Sequence, residues 1–393
     1  SIGSNAGNPR LRAADVVVYT SAVPEEDEEL TAARESGKTV WKRSELLKAV
    51  SDTFSHVVAV AGSHGKTTCT AMCAHILEAA RVPFAAHIGG EDSELGNFYM
   101  SGHDFFVTEA CEYKKNLLEV EAEKAVLLNI DRDHMECYRD EEELVDTFRR
   151  YCGKAKLAFV CADDAKSRGL GDFPTFGIDA ADADYRAVEL RQSGEKYSFT
   201  VSEYGKSLCR IRLNAAGRCN VYNALAAFSV MRSYGFDEQE IRQGLESFRA
   251  VKRRFESIGS WMGASFICDY AHHPREIAAT IATAERMCRG KLYAVFQPHT
   301  YSRTKFLMGD FVKALRPVKN LMIYKTYPAR EYYDEEGSAK TLARNVGNCL
   351  YSESIRELMT WLKTTLQPGD IVLFLGAGDI YYAAQYLLRE LNK

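Results

Sequence analysis

An apolar run, Val57-Val58-Ala59-Val60-Ala61, stops at Gly62, turns through Ser63-His64-Gly65, and enters a helical pattern at Lys66-Thr67-Thr68 that continues from Cys69 to Ala80. No other stretch restricts the fold as much. It reads as strand, loop and helix, and the N–H groups and dipole at such a helix start form an anion site. Glycine lets the backbone close around phosphate oxygens with no Cβ in the way. Lys66 has the reach for β/γ-phosphates, and a threonine hydroxyl can ligate Mg²⁺. The common spacing G-x-x-x-x-G-K-[ST] is not met, because the residue five before Gly65 is Val60 and the nearer glycine is Gly62. The phosphate-loop reading therefore rests on the strand–loop–helix context.

Strands alternating with helices on both sides of this stretch imply a parallel sheet. Before it, Asp15 to Thr20 reads as a buried strand running into Ser21-Ala22-Val23-Pro24. Glu25 to Ser36 reads as an acidic helix, Val40 as a short strand, and Glu45 to Val50 as a helix. This opening segment is small for an α/β domain and has no G-x-G-x-x-G. It is expected to be the back half of a dinucleotide-type domain whose front is missing. After the phosphate loop, Asp104–Glu109 and Lys124–Asp131 read as strands ending in carboxylates, Asp140–Tyr151 as a helix and Leu157–Cys161 as a strand. Antiparallel hairpins are expected over 185–213, then helices Asn220–Tyr234 and Glu238–Phe248. The pattern resets near Val251-Lys252-Arg253-Arg254. Strands at Ser265–Tyr270, Leu292–Phe296, Leu321–Tyr324 and Asp370–Leu375, with a helix from Arg275 to Cys288, make a third α/β unit. The expected division is 1–52, 53–252 and 253–393.

A chain of 393 residues accommodates two or three domains. A net charge of −4 gives no electrostatic case for nucleic acid or an anionic membrane. No apolar run approaches the roughly 20 residues that span a bilayer, and no signal peptide is evident. The 11 cysteines are scattered without a C-x-x-C pair, so buried thiols in a reducing cytoplasm are expected rather than a zinc site.

In open parallel sheets, ligands bind beyond the C-terminal strand ends. Glu109, Asp131 and His134 follow two such strands, and Lys66 and Thr67 follow a third. Together they could hold one or two Mg²⁺ around a triphosphate, although histidine is not the usual Mg²⁺ ligand. Asp269-Tyr270-Ala271-His272-His273-Pro274 gathers polar groups at another strand end. Adjacent residues in an extended segment point oppositely, so the His-His pair is not expected to share one metal. His299 and Arg303 follow a further strand and suit an anion clamp. Gly376-Ala377-Gly378-Asp379 reads as a tight strand–helix turn.

These residues resemble the Mur ligases, the ATP-dependent amide-forming enzymes of peptidoglycan synthesis, over essentially the whole chain. Gly62-Ser-His-Gly-Lys-Thr-Thr68 is similar to the family's phosphate loop, and Thr108-Glu-Ala-Cys-Glu112 and Asn129-Ile-Asp-Arg-Asp-His134 to its magnesium segments. Gly217-Arg-Cys-Asn-Val-Tyr-Asn223 resembles its nucleotide motif. Arg253-Arg254-Phe255, Asp269 to Pro274 and Phe296-Gln-Pro-His-Thr-Tyr-Ser-Arg-Thr304 resemble the alanine-adding branch. The resemblance implies three domains: a partial Rossmann-like N-terminal domain, a central P-loop ATPase-type domain and a C-terminal Rossmann-like domain. It implies ATP and Mg²⁺ as cofactors, and UDP-N-acetylmuramate and L-alanine as substrates joined through an acyl phosphate. A cytoplasmic location and a monomer–dimer equilibrium are further expectations.

By the same resemblance Gly62, Ser63, His64, Gly65, Lys66, Thr67, Thr68, Asn220, Asn223, Arg254 and Asp269 bind ATP. Lys66 stabilises the transferring phosphate. Thr67 and Glu109 hold Mg²⁺, and His134 serves a second ion. Tyr270, His272, His299 and Arg303 line the sugar-acid and alanine pocket. Three positions depart from the family pattern: Cys219 stands for a histidine, Cys268 for an aspartate, and the glycine-rich UDP-binding turn is missing. Gly3 to Asn8 resembles a later loop of that first domain, with Ser4 in place of histidine. The alternatives are a murein-tripeptide recycling or folylpolyglutamate-type ligase, and a non-catalytic nucleotide-binding paralogue.

Overall fold

The computed structural model describes residues 7–20, 23–194 and 196–393. Most of the loop resemblance that begins at Gly3, including Ser4, and the turn at Ser21-Ala22 lie outside the described residues.

The strand that precedes the phosphate loop, His56–Ala61, is buried from Val57 onward and sits inside a ten-stranded sheet. It pairs in parallel with Phe105–Glu109 on one side and Lys124–Leu127 on the other. Beyond Phe105–Glu109 come Phe84–Asp92 and the antiparallel Gly96–Met100. Beyond Lys124–Leu127 come Leu157–Cys161, Thr175–Gly177 and the antiparallel ribbon Tyr185–Ser193, Lys196–Glu203 and Lys206–Leu213. The chain leaves His56–Ala61 toward one edge and returns to its other side, so strand order reverses there. Such a reversal opens a crevice at the C-terminal strand ends, and the phosphate loop occupies it.

The helix Lys66–Ala79 is buried from Thr67 to Leu77. The sheet covers one side of it, and the helices Cys219–Ser233 and Glu238–Ser247 pack into the same apolar core. A second sheet follows, in spatial order Glu256–Trp261, Ala264–Asp269, Ile371–Leu375, Leu292–Phe296, Asn320–Tyr324 and Leu350–Ser352. All neighbours are parallel except the first pair. Asp269 and Phe296 both align with Leu375, so the segments that follow emerge at one rim.

Several local expectations are corrected. The strand near residue 15 is Val16–Tyr19, and it is not buried: Val16 and Val18 are 42% and 41% exposed. It pairs only with Thr39–Lys42 in a two-stranded sheet, too small to enclose it. The strand expected over 124–131 ends at Leu127, because Asn129 to Asp131 turn to bond the phosphate loop. The strands Phe84–Asp92, Gly96–Met100 and Glu256–Trp261 were not anticipated; their glycines and charges mask the two-residue period. Cys69, Cys73 and Cys161 are buried free thiols, as expected. Among the described residues no helix is long and apolar enough to cross a membrane.

Gly244 lets its helix approach the phosphate-loop helix closely. A Cβ there would sit 2.7 Å from His75 O and Ile76 N. Gly244→Ala is therefore expected to cost about 1–3 kcal/mol by overpacking, read as a lower urea midpoint; an unchanged midpoint would contradict this packing.

Candidate active site

The phosphate loop is fixed from behind. Asn129 Oδ1 accepts the His64 N–H at 2.8 Å and its Nδ2 donates to His64 O at 3.0 Å. Ser63 Oγ accepts the Asp131 N–H at 2.8 Å. Gly62 (φ 134°) and Gly65 (φ 88°) take up backbone that other residues adopt with strain. At Gly65 a Cβ would lie 2.5 Å from Asn223 Oδ1. The N–H groups of Gly65, Lys66, Thr67 and Thr68 meet no protein acceptor among the described residues. Four donors converge at the positive end of a helix of 14 residues, which suits a phosphate chain.

Lys66 Nζ lies 2.9 Å from Glu112 Oε2 and donates to Gly62 O and Ser63 O. Burial opposes its charge, but Glu112 outweighs burial and holds the ammonium above its ordinary pKa. Glu109, at the end of its strand, accepts the Gly89 N–H at 2.6 Å. Glu112, Asp133 and His134 bring one ligand atom each within 4.8 Å of one another. Burial works against a charge on His134, yet the Glu136 and Asp133 carboxylates outweigh it and raise its pKa.

The second sheet supplies the opposite wall. The Asp269 carboxylate accepts the N–H groups of Phe255 and Ala271, each at 2.7 Å, and so shapes the loop that carries the arginines. Burial pushes its pKa up to about 6, against the pull of Arg254. The Tyr270 ring lies against both Arg253 and Arg254, at 4.6 and 4.9 Å from its centroid. Arg254 Nη2 reaches the Thr67 hydroxyl at 3.4 Å, and Arg303 Nη2 donates to Asp133 Oδ1 at 3.0 Å. His272 Nδ1 is 2.9 Å from Tyr270 O, which fixes that nitrogen as the donor. Burial, then Arg303, lowers His272 to about 3 and His299 to about 4, so both are neutral bases near pH 7.

Lys66, Thr67, Glu109, His134, Arg254, Tyr270, His272, His299 and Arg303 thus line one cleft of about 580 Å³. Gly62 and Asp269 shape its walls instead of lining it. Asn223 lines a second cavity of about 250 Å³ behind the loop, with His64, Cys219 and Tyr222. Asn223 Nδ2 donates to Asn220 Oδ1, and Asn220 Nδ2 to Ala216 O. The His64 ring bridges the two units: Nε2 is 3.1 Å from Asp131 Oδ2 and Nδ1 is 3.1 Å from Glu276 Oε1. Burial opposes its charge, but Glu276 and Asp131 raise its pKa to about 9.

Sequence reasoning did not single out Glu112, Asp133 or Glu276. The first two carried a signal, since they share the segments of Glu109 and His134. Glu276 carried none, because a glutamate in the first turn of a helix is ordinary capping.

A sequence profile of the Mur ligase middle domain matches residues 60–231, and one of the Mur ligase glutamate ligase domain matches 253–378. The chain is 34% identical to the UDP-N-acetylmuramate–L-alanine ligase of Caldicellulosiruptor saccharolyticus, over 97% of this chain and 86% of that protein. It is 35% identical to the enzyme of the same name from Clostridium tetani, over 99% and 87%. The crystal structure of UDP-N-acetylmuramate–alanine ligase MurC from Thermotoga maritima superposes with a TM-score of 0.82 at 27% identity, over 96% of this chain and 85% of that one.

Gly65→Ala is expected to weaken nucleotide binding at least tenfold, about 1.4 kcal/mol, because the new Cβ meets both Asn223 and an unfavourable φ. Calorimetric titration with an ATP analogue reads this directly, and an unchanged Kd would contradict the loop geometry.

Proposed function

The chain belongs to the Mur ligase family, and on that basis we propose that it joins L-alanine to the lactyl carboxylate of UDP-N-acetylmuramate, at the expense of ATP, in peptidoglycan precursor synthesis. The observation that carries this reading is the cleft itself. Four unpaired N–H groups and Lys66 stand on one wall, with Arg254 and Arg303 on the other, 3.4 and 3.0 Å from central-unit side chains.

The carboxylate attacks the γ-phosphorus, giving an acyl phosphate and ADP. The alanine amine then attacks the acyl carbon, and phosphate leaves. The protein's contribution is positioning and charge neutralisation. Lys66 lies where negative charge develops on the transferring phosphoryl group. The N–H groups of Gly65 to Thr68 hold the phosphates, and Asn220 and Asn223 support the base and its surroundings. Arg254 approaches the nucleotide from across the cleft, on a loop fixed by Asp269. Tyr270, His272, His299 and Arg303 border the acid and amine. Neutral His272 and His299 can accept hydrogen bonds from the alanine ammonium and so orient it; their lowered pKa values make them weak proton acceptors, and its proton leaves to solvent.

The donor set fits Mg²⁺. The Thr67 hydroxyl and Glu109 carboxylate suit one ion, and the group Glu112, Asp133 and His134 a second. When bound, Mg²⁺ neutralises phosphate charge. Acyl phosphates hydrolyse, so the two walls must also exclude water. We further infer domain limits at 1–52, 53–252 and 253–393, supported by the three separate sheets, and action in the cytoplasm.

Phosphate release from ATP is expected only when UDP-N-acetylmuramate and L-alanine are both present, and Lys66→Met should lower kcat about 10³-fold. Release driven equally well by a murein tripeptide in place of alanine would move the assignment to the recycling branch. No release with any acceptor, while ATP still binds, would sink the enzymatic reading.

A further inference from the structure

The adjacent histidines His272 and His273 diverge. His272 enters the cleft beside Tyr270 and His299. His273 turns the other way, toward the base of the phosphate loop. There its Nδ1 is 3.5 Å from Asp131 Oδ2, and His64 Nε2 is 3.1 Å from the same oxygen. One donor atom from each of the three residues lies within 4.8 Å of the others. His273 is 4% exposed, and neither of its ring nitrogens has a hydrogen-bond partner. A buried, unpaired imidazole is destabilising, and native structures rarely keep such a group without a use.

The spacing suits a shared ion. Ligand atoms held tetrahedrally at about 2.0–2.1 Å from a metal lie roughly 3.3 Å apart, and the two separations to Asp131 Oδ2, 3.1 and 3.5 Å, fall on either side of that value. His64 Nδ1 lies 3.1 Å from Glu276 Oε1, an ionic contact beside the group, without hydrogen-bond alignment. A groove of about 540 Å³, walled in part by Asp131, His273 and Arg275, gives a path from solvent. Arg275 Nη1 lies 3.3 Å from Asp131 Oδ2, but its side chain is 64% exposed and can swing into water.

We propose that His64, Asp131 and His273 form a binding site for a divalent transition-metal ion of the zinc class, with water in the open position. It is separate from the cleft group Glu112, Asp133 and His134. Two imidazoles and one carboxylate suit zinc, whereas Mg²⁺ favours oxygen donors. The proposal does not depend on the ligase reading. His64 and Asp131 come from the central unit and His273 from the start of the Pro274–Met287 helix in the third. The bound ion therefore ties the two units in this closed arrangement and slows their opening. Binding displaces the proton that His64 Nε2 otherwise directs at Asp131, and Nδ1 keeps its own toward Glu276.

The test is a titration of the full chain with zinc chloride against a chromophoric chelator, without nucleotide. At least one tightly held ion per chain is expected. His273→Asn should weaken that ion by at least about tenfold, and His134→Asn should leave it in place. Zinc binding unchanged by His273→Asn, loss of that same ion with His134→Asn, or no tight ion at all would each overturn the site. If His273→Asn fails to fold, zinc K-edge absorption on the unsubstituted chain decides. Two imidazole nitrogens at about 2.0–2.1 Å support the site, and an all-oxygen or sulfur-containing sphere refutes it.

Discussion

Everything in the cleft depends on a loop that leaves its own hydrogen-bond donors unspent. The N–H groups of Gly65 to Thr68 meet no acceptor among the described residues, although buried polar groups are normally paired. The loop holds this arrangement because other groups fix it. Asn129 takes both backbone polar groups of His64, and Ser63 locks onto Asp131. Asn223 packs so closely on Gly65 that only glycine fits. The strain is local, and the buried sheet and helices around Lys66–Ala79 bear it.

Two topological reversals bring the opposing wall into reach. Strand order reverses at His56–Ala61 in the large sheet, and Ile371–Leu375 is inserted between Ala264–Asp269 and Leu292–Phe296 in the other. Each reversal puts loops at C-terminal strand ends, and the two rims meet. The meeting is electrostatic: Arg303 on Asp133, Arg254 near Thr67, and His64 between Asp131 and Glu276. Ionic contacts of this kind rearrange at lower cost than an apolar interface.

Much of this was legible in the residues. The apolar run before Gly62 reads as an interior strand and Lys66-Thr67-Thr68 as the head of a helix, and both elements form there. Glu109 and the Asn129–His134 segment were singled out because ligands sit beyond strand ends in open parallel sheets, and Glu109 and His134 line the cleft. The tertiary terms were not legible. Nothing local says that Asn129 stops being a strand to hold His64, that Glu276 faces a histidine 212 positions earlier in the chain rather than water, or that Val16 and Val18 stay exposed. The Arg303–Asp133 pair joins residues 170 apart in the chain, beyond any periodicity.

The central claim is that the cleft forms an amide by way of an acyl phosphate. It is tested most directly by following heavy oxygen from a labelled lactyl carboxylate during turnover with ATP and L-alanine. The account predicts one labelled oxygen in each phosphate released, because that oxygen bridges carbon and phosphorus in the intermediate. Amide formation with unlabelled phosphate would contradict it.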